Sequence, residues 1–353
     1  MKVNLKTLAA TLGLSQTTVS RALGGYSDVS ATTRKRVTEA ALRMGYQPDP
    51  LARRLATGRT DTVGMIFPFH ATEFGDNRWG EVIAGLSEAL GEHGMDLSII
   101  PVLPEKELET YRRVIDGRRV DALIVSWTRV DDDRIKLLQK LGFPFLAYGR
   151  TTSRIPYPWF DFDNEAGAKA AVERLINFGH RRIGLIHAPL EYNFAAQRHA
   201  GFLAGLRAAG IELDETLVVA SPLSRLSGYQ AMVRLLDLPS PPTALLIDNN
   251  LVGIGALRAI GDRGMTPPGD ISVIVYDGVS SDVPLPFSVT SVKQSTGAHS
   301  GRLLAGQVLA ILAGKPVSEV QHLGQPVIMP GESDGPPAAT LAPGQRSRKK
   351  TVG

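Results

Sequence analysis

The sequence predicts a small all-α helix-turn-helix headpiece joined to a larger α/β core. Three observations lead there. Two short amphipathic patterns flank a glycine within the first 25 residues, apolar runs alternate with amphipathic stretches from Val63 onward, and charge divides between these two parts. Residues 1–60 hold ten Lys/Arg against three Asp/Glu, a net +7. Residues 337–353 hold four basic and no acidic residues, so the intervening body carries −7 of the overall +4. A basic amino-terminal module suits phosphates, whereas an acidic body does not bind DNA by itself.

Leu5, Leu8 and Leu12 recur at helical spacing, which predicts a first helix with one apolar face. Gly13 follows where a helix ends in the left-handed region. Ser15 stands at the N-cap position of a second helix, whose buried side is Val19, Ala22 and Leu23. Small Ala9 lets the two helices approach across a tight turn, and such a pair places its second helix in the DNA major groove. Ser30 caps a third helix through about Met44, ended by Gly45-Tyr46-Gln47-Pro48-Asp49-Pro50. Leu51-Ala52-Arg53-Arg54-Leu55-Ala56 is helix-prone but too short to hold alone in water.

From Val63 strands are expected at Val63–Phe67, Leu97–Val102, Ala122–Ser126, Pro144–Tyr148, Ile183–His187, Ala244–Ile247 and Ser272–Val275. Helical patterns lie near 79–92, 105–116, 132–141, 165–178, 195–209, 228–236 and 250–263, with another near 296–313 before a terminal strand around Pro326–Met329. Repeated strand–helix units imply parallel sheets covered on both faces, and their length suggests two sheets. Arg150–Trp159 reads as an extended crossover between them. The absence of cysteine removes disulfides and thiolate chemistry. Lys2, Asn4 and Lys6 interrupt any amino-terminal apolar segment, and no run is long enough for a membrane helix. A cytoplasmic protein, nucleoid-associated when on DNA, is expected.

Residues 3–332 resemble the lactose-repressor (LacI/GalR) family of bacterial transcription regulators. The resemblance is carried by Thr18-Val19-Ser20-Arg21-Ala22-Leu23, Val29-Ser30, Thr33-Arg34-Lys35-Arg36-Val37, Gly45-Tyr46-Gln47-Pro48 and Leu51-Ala52-Arg53-Arg54-Leu55. It continues through Asp163-Asn164-Glu165-Ala166-Gly167, Gly179-His180-Arg181-Arg182-Ile183, Arg198 with Gly201-Phe202, Asn249-Asn250-Leu251, and Asp270-Ile271-Ser272-Val273 leading to Asp277. It implies a periplasmic-binding-protein-like (type I) core of two doubly wound subdomains joined by three crossovers around a cleft. The expected division is a helix-turn-helix domain at 1–46, a hinge helix and linker at 47–61, an effector-binding and dimerisation core at 62–332, and a disordered basic tail at 333–353. Within the core the first subdomain would be 62–159 plus 292–322, the second 160–291 plus 323–332.

The resemblance places Gln16, Thr17 and Arg21 at base-reading positions. An arginine fork pairs guanine and a glutamine pairs adenine, each worth about 1–3 kcal/mol of discrimination. Ser15, Thr18, Ser20, Thr33 and Arg34 are cast as phosphate contacts, which position without specifying. Leu55 matches a leucine that wedges into the minor groove, with Arg53 and Arg54 beside the phosphates. The competing reading is a solvated helix face and a core leucine. Arg198, Asn249, Asp277 and, more weakly, Gln294 match positions that hydrogen-bond a small molecule, and Trp127 lies where an aromatic ring stacks on a sugar. Arg198 also suits a surface charge, Asp277 a loop cap, and Trp127 simple core packing.

Three departures from the family stand out. Gly24 and Asp49 replace the asparagine usual in relatives, residues 70–78 form an unusual loop at the expected cleft mouth, and Gly331-Glu332-Ser333 lacks a common arginine. Enzyme readings find no support. Gly253-Ile254-Gly255 lacks a third spaced glycine, the seven histidines show no metal-ligand spacing, and Asp131-Asp132-Asp133 reads as a helix cap. No catalytic residue, metal or cofactor is expected. The expected protein is a homodimeric or homotetrameric repressor on a palindromic operator, controlled by a small-molecule effector. A saccharide is the leading effector and a purine or nucleoside the alternative. A solute-binding protein without DNA function would need a signal peptide and no basic headpiece.

Overall fold

The computed structural model describes residues 3–24, 26, 28–46, 58–68, 77–295 and 297–338. They fall into two compact units, one ending at Thr60 and one beginning at Asp61. The proposed hinge Leu51–Ala56, with Arg53, Arg54 and Leu55, lies outside the described residues.

The first unit is built of α1 (Leu5–Leu12), α2 (Gln16–Leu23) and α3 (Ala31–Met44). Each start has a side-chain cap. Asn4 Oδ1 accepts from Thr7 N at 2.9 Å, Ser15 Oγ from Thr18 N at 3.0 Å and Ser30 Oγ from Thr33 N at 3.2 Å. Such caps stabilise by about 1 kcal/mol each. Gly13 and Gly45 end α1 and α3 with φ of 64° each, in the left-handed region that glycine enters without Cβ strain. Leu8, Ala9, Leu12, Val19, Ala22, Val29, Val37, Ala40 and Ala41 form the core. Arg36 of α3 ties the helices together by donating to the Leu12 carbonyl at the end of α1, 2.6 Å away.

The second unit alternates strand and helix: β1 (Thr62–Pro68), α4 (Asn77–Gly91), β2 (Asp96–Val102), α5 (Glu107–Asp116), β3 (Ala122–Val125), α6 (Asp133–Leu141), β4 (Phe145–Tyr148) and β5 (Trp159–Phe162). Then come α7 (Asn164–Asn177), β6 (Ile183–His187), α8 (Asn193–Ala208), β7 (Val218–Ala220), α9 (Arg225–Leu236), β8 (Ala244–Ile247), α10 (Asn250–Asp262) and β9 (Ser272–Tyr276). The chain closes with β10 (Ser291–Lys293), α11 (Gly297–Leu312), β11 (Gln321–Gly324) and β12 (Val327–Met329).

Among the described residues these strands make two six-stranded sheets, ordered β11-β5-β4-β3-β1-β2 and β12-β10-β9-β8-β6-β7. All pairs are parallel except β10 with β12. Apolar clusters cover both faces of each sheet, so the central strands read as unbroken apolar runs.

The chain passes between sheets after β5, after β10 and after β11, giving three crossovers. Their positions correct the expected boundaries. Residues 160–162 belong to β5 of the first sheet, 291–292 pair with β9 and 291–293 with β12 in the second, and 323–324 pair with β5 in the first. Strands this short carry too little apolar pattern to mark themselves.

The tail boundary is also corrected. Ser333 and Asp334 are buried. Ser333 Oγ donates to Val273 O at 2.7 Å, Asp334 pairs with Arg174 at 2.5 Å, and the Gly335 carbonyl lies 2.8 Å from His180 Nε2. Residues 333–335 therefore belong to the second subdomain, fastened by polar bonds that a composition reading does not register. Residues 339–353 lie outside the described set.

Candidate functional site

The carboxyl ends of β1, β3, β4 and β5 face those of β6, β8, β9 and β10 across a cleft. Open α/β sheets bind ligands at such ends. Trp127, Arg198, Asn249, Asp277 and Gln294 all stand in its wall, as do Arg78, Trp79, Tyr148, Asp161, Asn164 and Phe194.

The second subdomain supplies most of the polar wall. Gly201 on α8 has no room for a Cβ against the Glu165 backbone, and this close helix contact brings Arg198 beside Asn164. Arg198 is buried, donating through Nε to Asn164 Oδ1 at 2.9 Å and through a terminal nitrogen to the Asp248 carbonyl. Its guanidinium also lies 3.7 Å from the Tyr276 ring centroid and 4.8 Å from that of Phe194. Burial lowers its pKa from the ordinary value. Burial likewise pushes the Asp248 carboxyl up to about 6, against the opposing pull of Arg198.

The surface-charge reading of Arg198 is thus excluded. Asn249 is the N-cap of α10, its Oδ1 accepting from Leu251 N at 2.9 Å and Val252 N at 3.3 Å. What Asn249 has left for a ligand is its amide donor.

Gln294 and Asp277 meet a residue that sequence reasoning did not single out. Arg78, in the first turn of α4, forms an ion pair with Asp277 and donates to Gln294 Oε1 at 2.9 Å. Gln294 Nε2 donates onward to Asn164 Oδ1 at 3.1 Å. A polar chain therefore runs from Asp277 through Arg78, Gln294 and Asn164 to Arg198, and Arg78 belongs to the first subdomain. Its only sequence signal was a cation at the end of the unusual 70–78 loop.

The first subdomain supplies rings. Trp79 and Trp127 stack at 6.1 Å and 15°, and Trp79 meets Tyr148 edge-on at 5.7 Å. Trp127 touches Phe194 at 6.4 Å. Trp127 and Asp277 have φ of 53° and 65°, a left-handed backbone costing about 1–3 kcal/mol at a non-glycine residue.

Around Trp127 a buried ion cluster holds that conformation. Arg134 donates to the Trp127 carbonyl at 2.9 Å while paired with Asp132 and Glu107, each at 2.6 Å. Asp132 caps α6, as expected, and braces this loop as well. The loop also bonds the second subdomain directly. Val130 N donates to Glu191 O and Asn193 N to Thr128 O, both at 2.9 Å.

In the headpiece Gln16, Thr17, Ser20 and Arg21 are exposed on α2. Arg21 pairs with Asp28 at 2.7 Å and lies 4.6 Å from the Tyr26 ring centroid. Ser15 and Thr18 hydroxyls bond each other at 2.8 Å. Thr33 is half-buried. Arg34 bonds the Tyr26 and Val29 carbonyls at 2.9 and 3.3 Å, so its terminal nitrogen braces the loop after α2.

Residues 60–325 match the family described as periplasmic binding proteins and sugar binding domain of LacI family, and residues 4–49 match the bacterial regulatory proteins of the lacI family. The chain belongs to the LacI family. The HTH-type transcriptional regulator RafR of Escherichia coli is 40% identical over 332 residues, covering 94% of this chain and 98% of that one. AglR of Rhizobium meliloti (strain 1021) is also 40% identical, over 88% of this chain and 89% of that one.

Among solved structures, the lac repressor dimer bound to operator and the anti-inducer ONPF is 25% identical with a TM-score of 0.80, covering 95% of this chain and all of that one. The transcriptional regulator CelR–cellobiose complex is 30% identical with a TM-score of 0.70, covering 94% and 100%. This LacI-family chain is a helix-turn-helix transcriptional regulator, and its relatives are regulators rather than enzymes. Among the described residues no helix is long and apolar enough to cross a membrane, and no group of His, Asp and Glu could hold a metal ion.

Proposed function

We propose that the protein is a cytoplasmic, homo-oligomeric repressor whose grip on a palindromic operator is set by a neutral saccharide in the cleft. The observation that carries this is the pairing of the two walls. Stacked rings of the first subdomain face the hydrogen-bonding groups Arg198, Asn249 and Asp277 of the second, and two ion pairs, Arg78 with Asp277 and Arg150 with Asp161 at 2.9 Å, offset charge at the site. Rings suit the apolar faces of a pyranose, while Asp277, Asn249 and Arg198 suit its hydroxyls, which both donate and accept. Trp79 and Trp127 stand too close to admit a planar base between them, which weighs against a nucleoside. The buried Trp127 Nε1 lacks a hydrogen-bond partner and offers a ligand oxygen a donor.

On DNA, Gln16, Thr17 and Arg21 read bases while Ser15, Thr18, Ser20, Thr33, Arg34, Arg53 and Arg54 position the backbone. Ser15 and Thr33 do so while serving helix starts. Leu55 wedges into the minor groove. The effector acts only through its different affinity for the two cleft states. A gel shift with the gene's own upstream region at two salt concentrations tests the DNA half. Affinity should fall steeply with salt, and absent or salt-insensitive binding would refute it. Leu55→Ala should keep salt-sensitive non-specific binding and lose operator preference; unchanged operator affinity would remove the wedge. Addition of neutral disaccharides to the same assay tests the effector half.

A further inference from the structure

Two sets of bonds cross the cleft from wall to wall. One is the main-chain pair Val130–Glu191 and Asn193–Thr128, the other the side-chain pair of Arg78 with Asp277 and Gln294. The second uses the very groups assigned above to the effector. Asp277 Oδ1 is sealed from solvent beneath the guanidinium, so a ligand hydroxyl reaches that oxygen only when Arg78 moves off it.

We propose that Arg78 is an internal competitor of the effector: it latches the unliganded cleft shut on Asp277, and a neutral polyol binds by taking its place there. This rests on the saccharide reading of the cleft. The latched state is closed but not ligand-competent, so the apparent affinity is the intrinsic one multiplied by the unlatched fraction. Arg78 thereby sets the effector concentration at which the regulator responds. It also adds selectivity, since only a ligand with hydroxyls placed to satisfy Asp277 displaces it. An apolar ligand would leave a carboxylate buried without a partner.

The test uses the full-length protein with Arg78→Met, which keeps the side-chain stem, Asp277→Asn, and the double variant. Amide hydrogen exchange at Val130 and Asn193 reports closure without ligand, because both donate across the cleft. Arg78→Met is expected to speed exchange at both amides about three- to tenfold, and Asp277→Asn and the double variant should do the same without adding. Titration calorimetry with maltose, lactose, melibiose and cellobiose should show Arg78→Met binding the best of these about three- to tenfold tighter than the parent.

Unchanged exchange in Arg78→Met overturns the latch. So does weaker sugar binding by that variant, which would make Arg78 a ligand donor and leave the saccharide reading standing. If none of the four sugars binds either protein, the saccharide reading loses its support. The exchange data then still decide the latch: faster exchange upholds it, equal exchange overturns it.

Discussion

The polar residues of the headpiece and those of the cleft have opposite circumstances. Gln16, Thr17, Ser20 and Arg21 stand on an exposed helix face, and the Arg21–Asp28 ion pair is 44% and 54% exposed. Arg198, Asn164 and Gln294 are buried and hydrogen-bonded to one another or to backbone. On the proposed reading, a surface that lies against DNA keeps its readers solvated, so they contribute recognition and little stability. A cleft that must select a small molecule holds its groups in place beforehand, so the same residues serve stability and recognition together.

The largest expected effect separates these two conditions. Arg198→Ala removes one of the two donors to Asn164 Oδ1, leaving that of Gln294, and the guanidinium donor to the Asp248 carbonyl. It should destabilise the core by about 2–4 kcal/mol and abolish the effector response, while the purified variant still binds operator below its melting point. Calorimetric melting combined with a gel shift checks both. A variant of parental stability that still responds would break the comparison.

Arg21→Ala should do the reverse. Melting should not move, while discrimination at one base pair of each half-site falls by about 1–3 kcal/mol, read by binding to a set of single-base operator variants. Destabilisation without loss of discrimination would show that its pair with Asp28 and its contact with Tyr26 are its main business.

The smallest effect concerns the scaffold behind the cleft's polar wall. Burial lowers the His180 pKa from 6.5, because the ring is enclosed by Thr243, Ser272 and Gly335. The unfolded chain then binds the proton more readily. Stability from this group is present above pH 6.5 and falls as pH drops through 6.5 toward the lowered value. Asp248, with its raised pKa, acts in the opposite sense at lower pH. Melting curves of parent and His180→Gln between neutral and mildly acid pH should therefore converge as pH falls. Parallel curves would refute the assignment.

Much of this was legible in the chain. The caps Ser15 and Ser30, the glycine stops and the apolar faces of α1 to α3 are local signals spread over a turn or two. The central strands are continuous apolar runs, and β8 was read to the residue. Less legible were β5, β7, β10 and β11, three or four residues each, which exist because a neighbouring edge pairs with them. Asn249 was read as a ligand contact without the capping role that takes its carbonyl. Residues 333–335 were read as tail because nothing local marks Ser333 or Asp334 as buried.

By itself, then, the sequence determined the two-part architecture, the helix-turn-helix and the residues that reach the cleft wall, since periodicity, caps and charge act between neighbours in the chain. Only the tertiary structure decided what those residues do to one another. Arg78 and Gln294 are 216 positions apart. Their bond forms because the first sheet carries α4, and β10 of the second leads into Gln294, across a common cleft. The strained backbones of Trp127 and Asp277 are of the same kind. Tertiary contacts from distant parts of the chain hold them, and no local propensity favours them.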